Sequence, residues 1–212
     1  MKGLLIKDFL NIKAFGKTLL FVTLFILIIN CTNKNSGGFQ LAYPIFFSSF
    51  LMISSFSIDE RAHFEAFAIA LPIKRNKIVL SKYLASFVLS LIGAVIGYFF
   101  MMISSVIFHV QILGGKELFA TIATLLVIVN ILSAVSFPII FKLGIEKARF
   151  AFMIIFLLPM IFVLIPMEYL VFLEDDLIFI MKHIEVFGSL ALILVELISY
   201  QISVKFYRNR DF

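Results

Sequence analysis

The chain has 212 residues, of which 62% are apolar and only 15% charged, whereas soluble domains average roughly 45 to 50% and about 25%; such a surplus cannot be buried in one small core. Its net charge of +5 would suit a nucleic-acid binder only if position were ignored, and the loops below account for it otherwise. The single Cys31 and three scattered histidines exclude an internal disulfide, a Cys-rich metal site and an HExxH zinc helix.

A bilayer core about 30 Å thick takes around 20 apolar residues per helix, and such runs recur at 18–30, 39–58, 78–108, 118–141, 150–173 and 186–204. The expected fold is all-α: one integral membrane domain of six transmembrane helices over 1–212, with no soluble domain. Ahead of the short first run, Leu4, Leu5, Ile6, Phe9, Leu10 and Ile12 make an amphipathic start that lengthens the span or lies along the interface. An N-terminal elbow helix followed by a span is the expectation. Lys13 and Lys17 before an apolar run ending at Cys31 also have the layout of a lipoprotein leader. Asn30 argues against that, because the residue before a lipidated Cys is small, and five more spans follow.

Orientation follows from the loop charges. The segments before span one, between two and three, between four and five, and after six hold 15 of the 18 Lys and Arg, with Lys82 counted in the second. The positive-inside rule then places both termini in the cytoplasm of a multi-pass protein. The basic balance is topological, and no nucleic acid is expected as a partner. The outer loop, about 168–185, carries Glu168, Glu174, Asp175, Asp176 and Glu185 around one lysine. Pro159 and Pro166 just before it would let this segment dip back into the outer leaflet.

The longest polar interruption is the cytoplasmic loop of about 59–77. Phe64, Phe67, Ala68 and Leu71 recur at i, i+3, i+4 and i+7, one apolar stripe of a short helix. Pro72 ends that helix near Leu71, since the residue before a proline is pushed out of the α region. The result is either an interfacial helix lying on lipid or a coupling helix that fits a groove on a soluble partner.

Three blocks carry a resemblance: KGLLIKDF, with Leu5, Lys7, Asp8 and Phe9; DERAHFEAFAIALPIKRNKIVLSKYL, with Glu60, Leu71, Pro72, Arg75, Ile78, Val79, Lys82 and Tyr83; and FPIIFKLGIEKAR. Together they resemble the ABC type-2 exporter permeases, especially the small six-span permeases that export antimicrobial peptides and phenol-soluble modulins. The middle block is the most specific, and the resemblance covers nearly the whole chain. Arg75 and Asn76 depart from it, standing where relatives often have Ser or Thr near the arginine.

The resemblance implies a bacterial cell-membrane permease with a coupling helix at 60–71. Glu60, Arg61, His63, Phe64, Glu65, Phe67 and Leu71 would contact a separate ATPase subunit, and Gly144, Glu146, Lys147 and Arg149 would supply a second, smaller contact. Further implied partners are a second permease copy or paralogue, membrane lipid and a peptide substrate. The permease itself needs no cofactor, ATP and Mg being bound by the ATPase. The sequence agrees on that point: a P-loop requires GxxxxGK followed by Ser or Thr, and Gly114-Gly115-Lys116-Glu117 lacks the first glycine and the hydroxyl.

Within the spans Glu196 is read as the one acidic residue, Glu168 being counted with the outer loop, and no basic residue is read within the six spans. A charge there costs about 2.5 to 3.5 kcal/mol or more. It is either a substrate-path or proton-coupling carboxylate or a protonated glutamate bonded to serines or tyrosines of neighbouring spans. Ser86, Ser90, Gly93, Gly97 and Ser104 share one face of span three, and the GxxxG pair Gly93 and Gly97 suits close packing inside the subunit more than a dimer seam. His63 and His109 are ordinary interfacial residues with no chemistry assigned. An intramembrane CAAX-type protease would need a glutamate pair, and Glu-Glu occurs nowhere. A non-transporting sensor or immunity protein is the other reading, although 59–77 has more polar structure than a connector needs.

Overall fold

The computed structural model describes residues 2–13, 15–18, 21–22, 24–25, 37–64, 67–68, 74–108, 114–148 and 184–209. Among them there is no strand, and five main helices form: α1 (Lys2–Lys13), α2 (Gly37–Arg61), α3 (Arg75–Phe108), α4 (Gly115–Leu143) and α5 (Ile184–Arg208). Four are long and apolar enough to cross a membrane, over Gln40–Arg61, Arg75–Ile107, Gly115–Leu143 and Leu190–Arg208. These match expected spans two, three, four and six. Span one is described only in part, as helical residues at 16–18, 21–22 and 24–25. The expected fifth span and residues 168–183 of the acidic loop lie outside the described residues, while Glu185 of that loop stands in the first turn of α5.

The closest helix pair is α2 with α3. They run antiparallel: Lys82 meets Asp59 and Ser55 at one end, and Ser104 hydroxyl bonds Gln40 at the other. Two glycines permit this approach. A Cβ on Gly93 would stand 2.7 Å from the Pro44 carbonyl oxygen, and one on Gly97 3.0 Å from that of Leu41. Small residues let helix backbones close in this way, and here the pair does so within the subunit.

α4 and α5 pack in parallel. The Ser199 hydroxyl bonds the Ala134 carbonyl, and further along Phe141 and Tyr207 meet edge to face with centroids 5.5 Å apart. A chain of aromatic contacts then ties the two pairs together. Phe56 of α2 lies 5.3 Å from both Phe137 and Phe141 of α4, and Tyr83 of α3 sits 4.9 Å from Phe137. Each such pair contributes about 0.5 to 1.5 kcal/mol beyond its buried area.

α1 lies against α2 and α3. Leu4, Asp8 and Ile12, spaced i, i+4, i+8, form its buried stripe, while Ile6 and Leu10 are exposed. The expected amphipathic face therefore divides, with one apolar row inward and one outward. A turn, in which the Phe15 amide donates to the Ile12 carbonyl at 2.8 Å, separates α1 from the helical residues at 16–18.

Candidate functional site

One end of the bundle collects α1, the end of α2, the start of α3 and the ends of α4 and α5. Arg75 Nη1 donates to the Arg208 carbonyl at 2.6 Å there. Lys82 is at its centre, 3% exposed. Its ammonium donates to Asp8 Oδ1 at 2.7 Å, Asp59 Oδ2 at 2.5 Å and Ser55 Oγ at 3.3 Å. Lys7 Nζ reaches the same Asp59 oxygen at 2.6 Å, Asn11 donates to Asp59 Oδ1 at 3.1 Å, and Ser55 donates to Asp8 Oδ1 at 3.0 Å. Two ammonium and two carboxylate groups thus cancel inside one hydrogen-bonded cluster.

Rings close it off. Lys82 Nζ lies 4.6 Å from the centroid of Phe56 and Lys7 Nζ 3.5 Å from that of Phe64, so both cations also face a π cloud. Burial and the Lys82 charge hold Lys7 below the usual lysine value, while Asp8 and Asp59 pull it upward.

α3 has 34 residues, about 51 Å at 1.5 Å per residue, against a hydrocarbon core of about 30 Å. Lys82 lies two turns inside its start. Counting Lys82 with the loop charges is corrected here: it lies inside helix α3, buried and paired. The companion expectation that the spans hold no basic residue falls with it. The helix expected over 60–71 is also corrected at its start. Glu60 and Arg61 form the last turn of α2, which ends at Ala62 and His63, the latter in the left-handed region at φ 46°. Helix resumes at Phe64 and includes 67–68, while Glu65, Leu71 and Pro72 lie outside the described residues.

The two expected cytoplasmic contacts meet. The Ile145 amide donates to Glu60 Oε2 at 2.7 Å, so a carboxylate caps the start of the helical residues 145–148, where orphan N–H groups favour negative charge. Gly144 makes the bend before it with φ 79° and ψ 168°, a region open essentially to glycine. Beneath the bend, Asp59, Glu60, Phe64, Lys82, Gly144 and Tyr207 line a cavity of about 20 Å³, enough for one water. Arg61, His63, Phe67, Glu146 and Lys147 are exposed around it. Arg149 lies outside the described residues.

Glu196 stands elsewhere, half-buried on α5 and lining a groove between α3 and α5. Among the described residues it makes no hydrogen bond to a serine or tyrosine of a neighbouring span. Tyr83 hydroxyl bonds Ser199 at 2.5 Å and Ser203 at 2.8 Å instead.

The sequence reading missed the ion cluster although it quoted Lys7, Asp8 and Lys82. The signal was positional: Asp8 interrupts the stripe of Leu4 and Ile12, and Asp59 continues that of Met52, Ser55 and Phe56. A carboxylate in the middle of a buried row requires a cation opposite.

The sequence model described as ABC-2 family transporter protein matches residues 3–208 of the chain. No curated protein and no solved structure matches it.

Proposed function

Because the chain belongs to the ABC-2 family of transporter proteins, multi-pass membrane permeases of ABC exporters, we propose that it is driven by a separate ATPase subunit docked at the corner of Glu60 and Ile145. The observation that carries this reading is the Glu60–Ile145 hydrogen bond at 2.7 Å. It fastens the loop after α2 to the turn after α4, so a partner pressing on either segment moves both. The ion cluster directly behind passes that push to α1, α2 and α3 as one body. A corner that merely connected spans would have no need of a half-buried capping carboxylate.

The basic residues Lys74, Arg75, Lys77, Lys142, Lys147, Lys205 and Arg208 gather at this end of the helices, which supports a cytoplasmic location under the positive-inside rule. Two such subunits, or one with a paralogue, would enclose the pathway. Resemblance to the small six-span permeases supports an amphipathic peptide as the exported substrate.

The test is co-purification of the ATPase and coupled ATP hydrolysis in reconstituted membranes. Reversing Glu60 and Glu65 to lysine should abolish both at equal abundance of the permease, because the reversal favours anionic lipid but opposes a complementary protein surface. Glu60→Gln keeps an acceptor for the Ile145 amide and should retain most of the coupling. Full partner binding and unchanged hydrolysis in the double reversal would remove the case for docking here.

A further inference from the structure

Leu192, Glu196 and Tyr200 fall at i, i+4 and i+8 on one face of α5, and Tyr83, Leu84 and Phe87 of α3 stand across from them. Between the two helices lies a groove of about 570 Å³, within the roughly 300 to 1,000 Å³ of small-molecule sites. Leu84 and Phe87 are exposed along its rim, so it opens sideways toward lipid. Glu196 precedes Arg208 by a helical rise of roughly 18 Å, which against a hydrocarbon core of about 30 Å sets it near mid-membrane.

The walls are apolar and aromatic, and one carboxylate faces the space. Nearby hydroxyls do not satisfy it, since Tyr83 is committed to Ser199 and Ser203 and Tyr200 donates to the Asn76 carbonyl at 3.4 Å. Among the described residues no cation pairs with Glu196. The contrast with Asp8 and Asp59 is direct, because those carboxylates are paired with Lys82 and Lys7. An uncompensated carboxylate in an apolar site is costly unless a cation is supplied. Aromatic faces attract the same kind of ion.

We propose that this groove binds a cationic amphiphile, its ammonium set against Glu196 among the Tyr83, Phe87 and Tyr200 rings and its apolar body along Leu84 and Leu192. As the entry point of an exported peptide, through a lysine side chain presented from the lipid, the site rests on the exporter reading above. Binding itself needs no ATPase. An anionic amphiphile would be repelled by Glu196, and a neutral one would gain nothing from it.

The experiment uses the full chain purified in neutral detergent and a diazirine-bearing alkylammonium, with the matching alkyl alcohol as control. Crosslinks mapped by mass spectrometry should fall on α3 and α5 and be displaced by decyltrimethylammonium but not by decyl sulfate. Glu196→Gln should weaken ammonium labelling about tenfold and leave alcohol labelling unchanged. Glu196→Asp keeps the charge and should retain labelling, whereas Leu84→Trp fills the groove and should block it with Glu196 intact. Equal labelling by ammonium and alcohol in the wild type would overturn the proposal, as would undiminished ammonium labelling in Glu196→Gln or in Leu84→Trp. Either result would leave ATPase docking, tested separately by co-purification, untouched.

Discussion

At the basic end of the bundle the Lys82 ammonium holds two carboxylates within 2.7 Å and a hydroxyl at 3.3 Å. Between α3 and α5, Glu196 faces an apolar groove with no partner of that kind among the described residues. Both sites remove charge from water, yet the first is electrically complete and the second is not. A complete cluster rigidifies what it joins and can be altered only at a cost in stability. An incomplete one leaves an interaction to be made with something that arrives, so the comparison separates a structural use of charge from a receptive one.

The sharpest way to break that comparison is Lys82→Met. It leaves Asp8 and Asp59 buried with Lys7 alone, and breaking such a pair from one side costs about 3 to 5 kcal/mol. Unfolding titrated with sodium dodecyl sulfate in mixed micelles should show the loss. Adding Asp8→Asn should restore part of it, because the two residues share one network.

A smaller effect is expected at Gly93→Ala, where the new Cβ meets Pro44 backbone oxygen at 2.7 Å and the helices must separate. The cost of such overpacking is about 1 to 3 kcal/mol, read as a lowered thermal midpoint, with Gly97→Ala milder. The smallest effect is on the receptive side. Glu196→Gln should not lower stability, because no native bond is removed and the cost of an uncompensated carboxylate is relieved. A large loss there would make Glu196 structural after all and erase the distinction.

The helices were legible because length and hydropathy are local properties. Four of the six expected spans coincide with membrane-length helices, and residues 18–30 and 150–173 lie partly or wholly outside what is described. The GxxxG spacing likewise marked a surface of close helix approach, although its partner on α2 could not be read from α3 alone. The ion cluster was illegible for the opposite reason. Its members come from three helices, with 74 residues between Asp8 and Lys82, so no window of sequence contains it. Lys82 looked like a loop charge because a lysine two turns into a helix is indistinguishable from one just outside it until the partner is seen. Glu60 carried a related ambiguity. Assigned to a separate coupling helix, it belongs to the last turn of α2, where a left-handed His63 divides the two.

That long separation also fixes an order of assembly. A chain is synthesised from its N-terminus, so Asp8 emerges 74 residues before Lys82 and Asp59 emerges 23 residues before it. Until α3 is threaded into the bilayer, neither carboxylate has its central counterion, and α1 gains more by staying hydrated at the interface than by packing. The arrival of Lys82 neutralises both carboxylates together. Docking of the first helix in its final, neutralised form is therefore expected to follow insertion of the hairpin of α2 and α3.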